Sequence, residues 1–573
     1  MNNEGDPTAP QPELTPGAAT LPSGATRLWF ARYGLIVISA AGALVVGAVT
    51  VAAVLLLTQP NPSVEKMVPA THDVMVIANL NPSLAQKVNL LRAVHSFPDT
   101  RTDAAIATKL DEALKQSGLS FTTDVQPWLG GEVGVSGKMN FENGADSPYA
   151  LFATSRDDAK AKAALGKLRS GTIGKKYTWR EETYNGISIA SGTPTVTADK
   201  PVAYSYVDHV VVLASSSAVI HEIIDTDQGR SPRLVESSDF KATMTLLPSD
   251  RVGTGYIAGK ALVAGVKKQM TKPSTLGLPA LKTLDDLNAL QGIGGAVSAT
   301  GAGVAFDVAV KLDVNKLSPA TRQAFTATGR PDAVIRWIPK SSDAFLAIAN
   351  VDQGIKTLLA QYGSDPSVQA STDAVGLTGS KGILSHLTGD LGVEVELGSN
   401  SIPSGAILIG TNDAAAMNAF FGKLAVLASA TTGQQKAGAG ITRTTYRGTV
   451  ITTLTSSSLG QVPGLAPSYA ALDGMGILAS SQAEIKAVID AHAGSSNITA
   501  DSTYQAASTA SLAHPAGIMY VNVAALVSVL EKLPSSSGME TTAVAYLAPL
   551  RAFMFTATSQ TGAAVERFFV AIK

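Results

Sequence analysis

The chain contains no cysteine. That absence excludes disulfide staples, thiolate metal sites, a cysteine nucleophile and a lipid-modified cysteine anchor. Charge is sparse as well. Only 16% of the 573 residues are charged, against about 25% in an average globular chain, which excludes a highly charged disordered protein. With 44 basic and 45 acidic side chains, no global field draws the chain toward nucleic acid. Linear catalytic signatures are missing too. No G-x-S-x-G elbow occurs, and the histidines never stand four residues apart, the spacing that pairs two of them on a helix face. No local pattern asks for a cofactor or a metal.

What is present is apolar: 45% of the residues are hydrophobic. The length exceeds the roughly 250–300 residues at which single cores stop growing, so at least two lobes are expected. Residues 34–57, GLIVISAAGALVVGAVTVAAVLLL, carry no charge. As a helix this run would be about 36 Å long, enough for a hydrocarbon core of about 30 Å. Arg27 and Arg32 precede it, so the positive-inside rule predicts a single-pass anchor with a cytoplasmic N-terminus. Residues 1–33 read as a disordered cytoplasmic tail, 34–57 as the membrane contact, 58–67 as a linker, and everything beyond as extracytoplasmic.

The remainder reads as one module written twice. VPATHDVMVIANL from Val68 returns as IPKSSDAFLAIAN from Ile338, and LGGEVGV from Leu129 as LTGDLGV from Leu387. TYNGISI meets TYRGTVI. YSYVDHVVVLASSSAVIHEIID from Tyr204 meets YAALDGMGILASSQAEIKAVID from Tyr469 without a gap. One order throughout excludes chance and predicts a first repeat over 68–313, a connecting segment over 314–337 with a short helix over 319–328, and a second repeat over 338–573.

Residues 72–80 read as a buried strand, and Asn81-Pro82 as the start of a helix. Residues 132–135 and 150–154 read as strands, the second leading into an alanine-rich helix over 157–168. Asn185-Gly186, Asp208-His209 and Asp473-Gly474 mark hairpins. Helices alternating with hairpins predict an α+β fold: one N-terminal transmembrane helix followed by two tandem copies of a largely antiparallel sheet-and-helix module.

The succession VPATHDVMVIANLNP, NLLRAVHSFP and LDEALKQSGLSFTTDVQPWLGGEVGV is most specific at Leu110-Asp111, Gly118-Leu119, Asp124-Val125 and Pro127-Trp128-Leu129-Gly130. In these residues the chain resembles the start of the bacterial domain of unknown function 3352 family. The resemblance implies an envelope protein behind an N-terminal membrane helix. It supplies no catalytic residues, because that family has no established activity. The second copy departs from it, with His386 opposite Trp128.

Two motifs invite chemistry and are outweighed. Ser238-Asp239-Phe240-Lys241 matches S-x-x-K, but its companion elements are missing and the second copy reads Ser502-Thr503-Tyr504-Gln505. A serine capping a helix accounts for both copies. His221-Glu222 begins a zinc-protease H-E-x-x-H that ends on Asp225, and the second copy has Lys486 and Ala487 there.

The candidate binding residues are Trp128, Glu132 and Asp390, since an acid follows a glycine-rich turn in both copies. Period-two alternation points Glu132 away from the face of Val133 and Val135. The expectation is a non-catalytic envelope protein that binds a protein partner or an apolar ligand and no nucleic acid. The alternatives are an envelope hydrolase with a spatially assembled site, or an extracytoplasmic subunit of a membrane complex.

Overall fold

The computed structural model describes residues 63–573 apart from 142–145, 197–199, 271–283, 320–321, 323–328, 330, 363–365, 380–381, 399–402, 432–439, 456–464, 495 and 532–543. Four two-residue turns organise it. Asn185-Gly186, Asp208-His209, Arg447-Gly448 and Asp473-Gly474 each place both residues at positive φ, the twist that lets a tight turn join two antiparallel strands.

The first half contributes β1 (Val74–Asn79), β2 (Leu129–Gly137), β3 (Tyr149–Ser155), β4 (Tyr177–Tyr184), β5 (Ile187–Pro194), β6 (Val202–Val207), β7 (Val210–Ala214), β8 (Gly253–Ala258), β9 (Leu290–Thr300) and β10 (Gly303–Leu312). The second contributes β11 (Ala344–Ile348), β12 (Leu387–Glu396), β13 (Ser404–Thr411), β14 (Gly440–Tyr446), β15 (Thr449–Thr455), β16 (Ser468–Leu472), β17 (Met475–Ala479), β18 (Gly517–Asn522), β19 (Leu550–Gln560) and β20 (Ala563–Ile572). Pairing in the first half runs β4-β5-β6-β7-β3-β2-β1-β8-β9-β10. The second half repeats that order from β14 to β20 with every strand number raised by ten.

Helices follow the same rule. The first half has α1 (Leu84–His95), α2 (Asp103–Leu114), α3 (Asp158–Ser170), α4 (Ser217–Asp227), α5 (Ser238–Met244) and α6 (Gly259–Met270). Their counterparts are α7 (Val351–Tyr362), α8 (Pro366–Ala374), α9 (Ala414–Thr431), α10 (Gln482–Ala493), α11 (Ser502–Ser508) and α12 (Val523–Leu530), with shorter helical pieces between. On one sheet face Ile220, Ile223 and Ile224 of α4 and Phe240 of α5 bury against Met75 and Tyr256. Ile485, Val488 and Ile489 of α10 and Tyr504 of α11 do the same against Phe345 and Tyr520. On the other face Leu90, Ile106 and Leu165 of α1, α2 and α3 pack with Val211 and Val297.

Two expectations are corrected. The repeats do not stand as two modules: β10 pairs with β20 from Gly303↔Ala571 to Lys311↔Ala563, so both halves form a single sheet of 20 strands. The seam is packed, not merely hydrogen-bonded. Val565 of the second half joins the first core, and Ala305 of the first half joins the second. Each half ends on a strand whose outer edge needs partners, and the two edges satisfy each other.

The second correction concerns the membrane helix. Residues 34–57, with the tail before them and the first half of the linker, lie outside the described residues. No helix among the described residues is long and apolar enough to cross a membrane. The longest of these, α9, has 18 residues and carries Asn418 and Lys423. It measures about 27 Å, short of a hydrocarbon core of about 30 Å. Most of the connecting helix expected over 319–328 is likewise outside the described residues. The start of α1 shifts too: Ser83, not Asn81, caps it by accepting the Gln86 N–H.

Candidate functional site

The residues that carry the family resemblance form a corner between α2 and β2. Gly118 turns the chain at φ 76°, a conformation glycine adopts without strain, and a single wide turn follows over Phe121–Val125. The Asp111 carboxylate accepts the Ser120 hydroxyl at 2.9 Å, the Thr122 hydroxyl at 2.9 Å and the Thr122 N–H at 3.2 Å. Asp124 accepts the Ser120 N–H at 2.8 Å and the Lys167 ammonium at 2.6 Å. Hydrogen bonds to their charged forms, chiefly from Ser120 and Lys167 respectively, hold both acids below the usual carboxylate range.

Trp128 is not exposed. Only 6% of it reaches solvent, it packs in the core with Phe121, Leu129 and Leu165, and its indole N–H donates to the Asp124 carbonyl at 2.6 Å. An open cleft of about 500 Å³ lies over this corner, bordered by Thr108, Asp111, Lys115, Asp124 and Lys167. Asp111, Asp124 and Lys167 are already engaged in the bonds just described, so the corner is self-satisfied.

Glu132 and Asp390 occupy equivalent positions but do different work. Glu132 lies off the valine face, as the alternation indicates, and its Oε2 accepts the Val64 N–H at 2.7 Å. It ties the N-terminal turn Val64–Met67 to the sheet. Burial first, with Glu65 adding repulsion, pushes its carboxyl up to about 7 against the opposing Val64 bond. Asp390 instead neighbours Asp352, and burial followed by that repulsion raises its pKa as well. Gly389 sits at φ 94°, and a Cβ there would stand 2.5 Å from Asp352 Oδ1, so only glycine admits this approach.

Sequence reasoning missed two buried polar clusters lying between the sheet and α4 or α10. In the first, His72 Nδ1 lies 2.7 Å from the Ser136 hydroxyl, both residues being about 1% exposed. Glu222 approaches His72 Nε2 at 4.0 Å and holds the Lys138 ammonium at 2.8 Å and the Thr71 hydroxyl at 2.8 Å. Burial drives His72 down to about 4, overriding Glu222. In the second cluster the counterparts of His72 and Ser136 are Ser342 and Glu394, and the Ser342 hydroxyl donates to Glu394 Oε2 at 2.9 Å. One strand position is bulky and the other small in each half, with the order reversed. The bond survives the exchange.

Glu484 from α10 completes the second cluster. Both acids are buried, and each leaves its Oε1 without a donor. A proton held between the two carboxyls would satisfy both oxygens. Burial raises both pKa values, and for Glu394 the repulsion of Glu484 is the second cause. The repeat alignment suggests the location, because Ser136 lies opposite Glu394, but the partners are far apart in sequence.

Ser136, His72 and Glu222 follow the order of a hydrolytic triad. Their geometry does not support one. The 4.0 Å gap from His72 Nε2 to the carboxylate exceeds hydrogen-bond reach, and burial closes the serine to any substrate carbonyl. The other motif residues are structural. His221 stacks on Tyr184 with ring centroids 4.0 Å apart and bonds Glu182 at 3.0 Å. Ser238 is the first residue of α5, and the cap is Ser237, which accepts the Phe240 N–H at 3.1 Å. Asp501 caps α11 at the equivalent place. Among the described residues no three His, Asp or Glu side chains converge in a metal-binding arrangement.

These features define a duplicated antiparallel α+β protein in which His72, Ser136, Glu394 and Glu484 are buried polar side chains. The family described as "Protein of unknown function (DUF3352)" matches residues 34–435 and 430–546, and the chain belongs to that family. No curated protein matches the chain. Among solved structures, crystal form IV of TP0453 is 12% identical, covering 43% of this chain and 79% of its own at a TM-score of 0.22. Crystal form III is 11% identical, covering 46% and 86% at a TM-score of 0.23. Similarity at that level carries no argument about fold or function.

Proposed function

We propose that the chain is a non-catalytic scaffold that binds a protein partner through an apolar surface presented twice. One observation carries this reading. Leu151 on β3 and Ile407 on β13 are equivalent mid-strand positions, 43% and 38% exposed. Each lies between apolar cross-strand neighbours, Val135 and Leu213 in the first half and Val393 and Leu478 in the second. A single exposed aliphatic is ordinary, whereas an apolar surface rimmed by polar groups marks an interaction site. Two such positions on one rigid sheet suit a partner that engages both at once, where the second contact gains from the first.

A photo-crosslinking residue at position 151 or 407, introduced separately into the full chain in its own cells, tests this. The expected result is one protein captured from both positions and lost in the Leu151→Glu/Ile407→Glu variant, whose melting temperature stays near that of the parent. No capture, or unrelated products from the two positions, would overturn it.

A further inference from the structure

Among the described residues the sheet has two free ends: β4 pairs only with β5, and β14 only with β15. Both hairpins close through two-residue turns that bond the flanking pairs Tyr184↔Ile187 and Tyr446↔Thr449. Antiparallel bonding alternates along a strand. The backbone groups of Trp179, Glu181 and Thr183 on β4, and of Ile441, Arg443 and Thr445 on β14, therefore point outward. Each edge is a row of unmet donors and acceptors matched to an extended strand.

The two edges are equivalent positions of the duplicated module, and their central residues are oppositely charged. Counting from the hairpin turns, Glu181 corresponds to Arg443. Arg443 is exposed and makes no ion pair among the described residues. Glu181 is half exposed and holds Arg169 through one oxygen, while the other accepts the Ser188 hydroxyl at 3.3 Å. The same relation already seals the internal seam, where Asp307 and Arg567 face each other across β10 and β20.

We infer that the chain assembles with further copies of itself, the β14 edge of one copy adding to the β4 edge of the next with Arg443 opposite Glu181. This contact is distinct from the face bearing Leu151 and Ile407. Antiparallel pairing in that register sets Trp179 against Thr445 and Thr183 against Ile441. On the opposite face Arg180 meets Thr444 and Glu182 meets Thr442, so no like charges oppose one another. The self-pairings are worse: β14 against β14 about the same centre sets Arg443 against Arg443, and β4 against β4 sets Glu181 against Glu181. The contact uses different surfaces on the two copies. It is therefore heterologous and adds copies until a ring closes or a filament grows.

Sedimentation velocity on the full chain, across a wide concentration range, tests this. The expected wild-type result is a mass that rises with concentration in multiples of one chain. Arg443→Glu should reduce it to a single chain without changing the melting temperature. Glu181→Arg should do the same with a slightly lower melting temperature, because it also loses its bonds to Arg169 and Ser188. Their combination should restore assembly, because the pair is then reversed. A wild type that stays monomeric throughout would overturn the inference, as would an oligomer that Arg443→Glu leaves intact. Failure of the double variant to assemble would overturn the β4 assignment, since pairing of β14 with itself predicts that failure.

Discussion

Asp307 and Arg567 are the same position of the repeated module, yet they bond to each other. Each lies four residues beyond the end of the hairpin that opens its strand, Gly303 in β10 and Ala563 in β20. The antiparallel register places them directly opposite, so the pseudo-twofold axis relating the halves passes between them. Arg567 donates from Nε to Asp307 Oδ1 at 2.6 Å and from Nη2 to Oδ2 at 3.2 Å, with a third bond to the Ala510 carbonyl at 3.1 Å. Identical copies would set like charge against like on this axis. The divergence of one copy to acid and the other to arginine makes the seam specific to unlike halves.

Asp307 is fully buried, so Asp307→Ala should cost about 3–5 kcal/mol, mainly by leaving a desolvated guanidinium unpaired. The exchange Asp307→Arg/Arg567→Asp should recover more than half of that loss. The relocated arginine would find the carbonyl of Leu246, the counterpart of Ala510 in the first half. Urea unfolding of the three proteins measures this, and an exchange no better than the single variant would contradict the symmetry argument.

His72 should govern the acid limb of stability. Its ordinary value of 6.5 falls to about 4 in the fold because burial disfavours the imidazolium. A depressed histidine contributes stability that is present above 6.5 and lost as pH falls toward 4, here on the order of 2–3 kcal/mol. His72→Gln should flatten the melting temperature across that window. A variant that tracks the parent at every pH would assign the acid limb to other groups.

Much of the architecture was legible in the sequence because it rests on local chemistry. Asn185-Gly186 and Asp473-Gly474 specify turns by themselves, and Ile220, Ile223 and Ile224 mark a buried helix face by spacing alone. The seam was not legible. β10 and β20 alternate like any strand, and nothing local in Asp307 says that its partner is Arg567. The same holds for His72 with Ser136 and Glu394 with Glu484, whose partners come from different elements. Trp128 shows the converse error: a tryptophan beside a glycine turn reads as a surface feature until Asp124, four residues earlier, supplies its carbonyl.

The Glu394–Glu484 pair should set the opposite limb. Both carboxyls have raised pKa values because burial penalises the charge. A raised acid contributes stability that is full below its ordinary value of 4.5 and lost as pH climbs through the folded value. Glu484→Gln supplies an N–H donor to Glu394 and removes one titrating group. The variant should match the parent near pH 4 and melt progressively higher than it as pH rises. A difference that does not grow with pH would mean that the two acids do not share a proton.

The last prediction uses the duplication as its own control. Tyr184 donates its hydroxyl to Asp225 at 3.0 Å, and Tyr446 donates to Asp490 at 2.9 Å. Each bond ties the hairpin turn to the helix behind it, α4 or α10. Arginines share both acids, Arg230 with Asp225 and Arg447 with Asp490, each at 2.8 Å. A hydrogen bond to a charged acceptor contributes about 1.5–3 kcal/mol, and partial exposure with the competing arginine places these at the low end. Tyr184→Phe and Tyr446→Phe should therefore each cost about 1–1.5 kcal/mol. The two sites lie in different halves and share no partner, so the double variant should lose the sum within about 0.5 kcal/mol. Urea midpoints at constant slope decide the matter. Unequal single costs would show that the two hairpins no longer do the same work, and a double variant losing far more than the sum would mean that the two hairpins are energetically coupled across the β10–β20 seam.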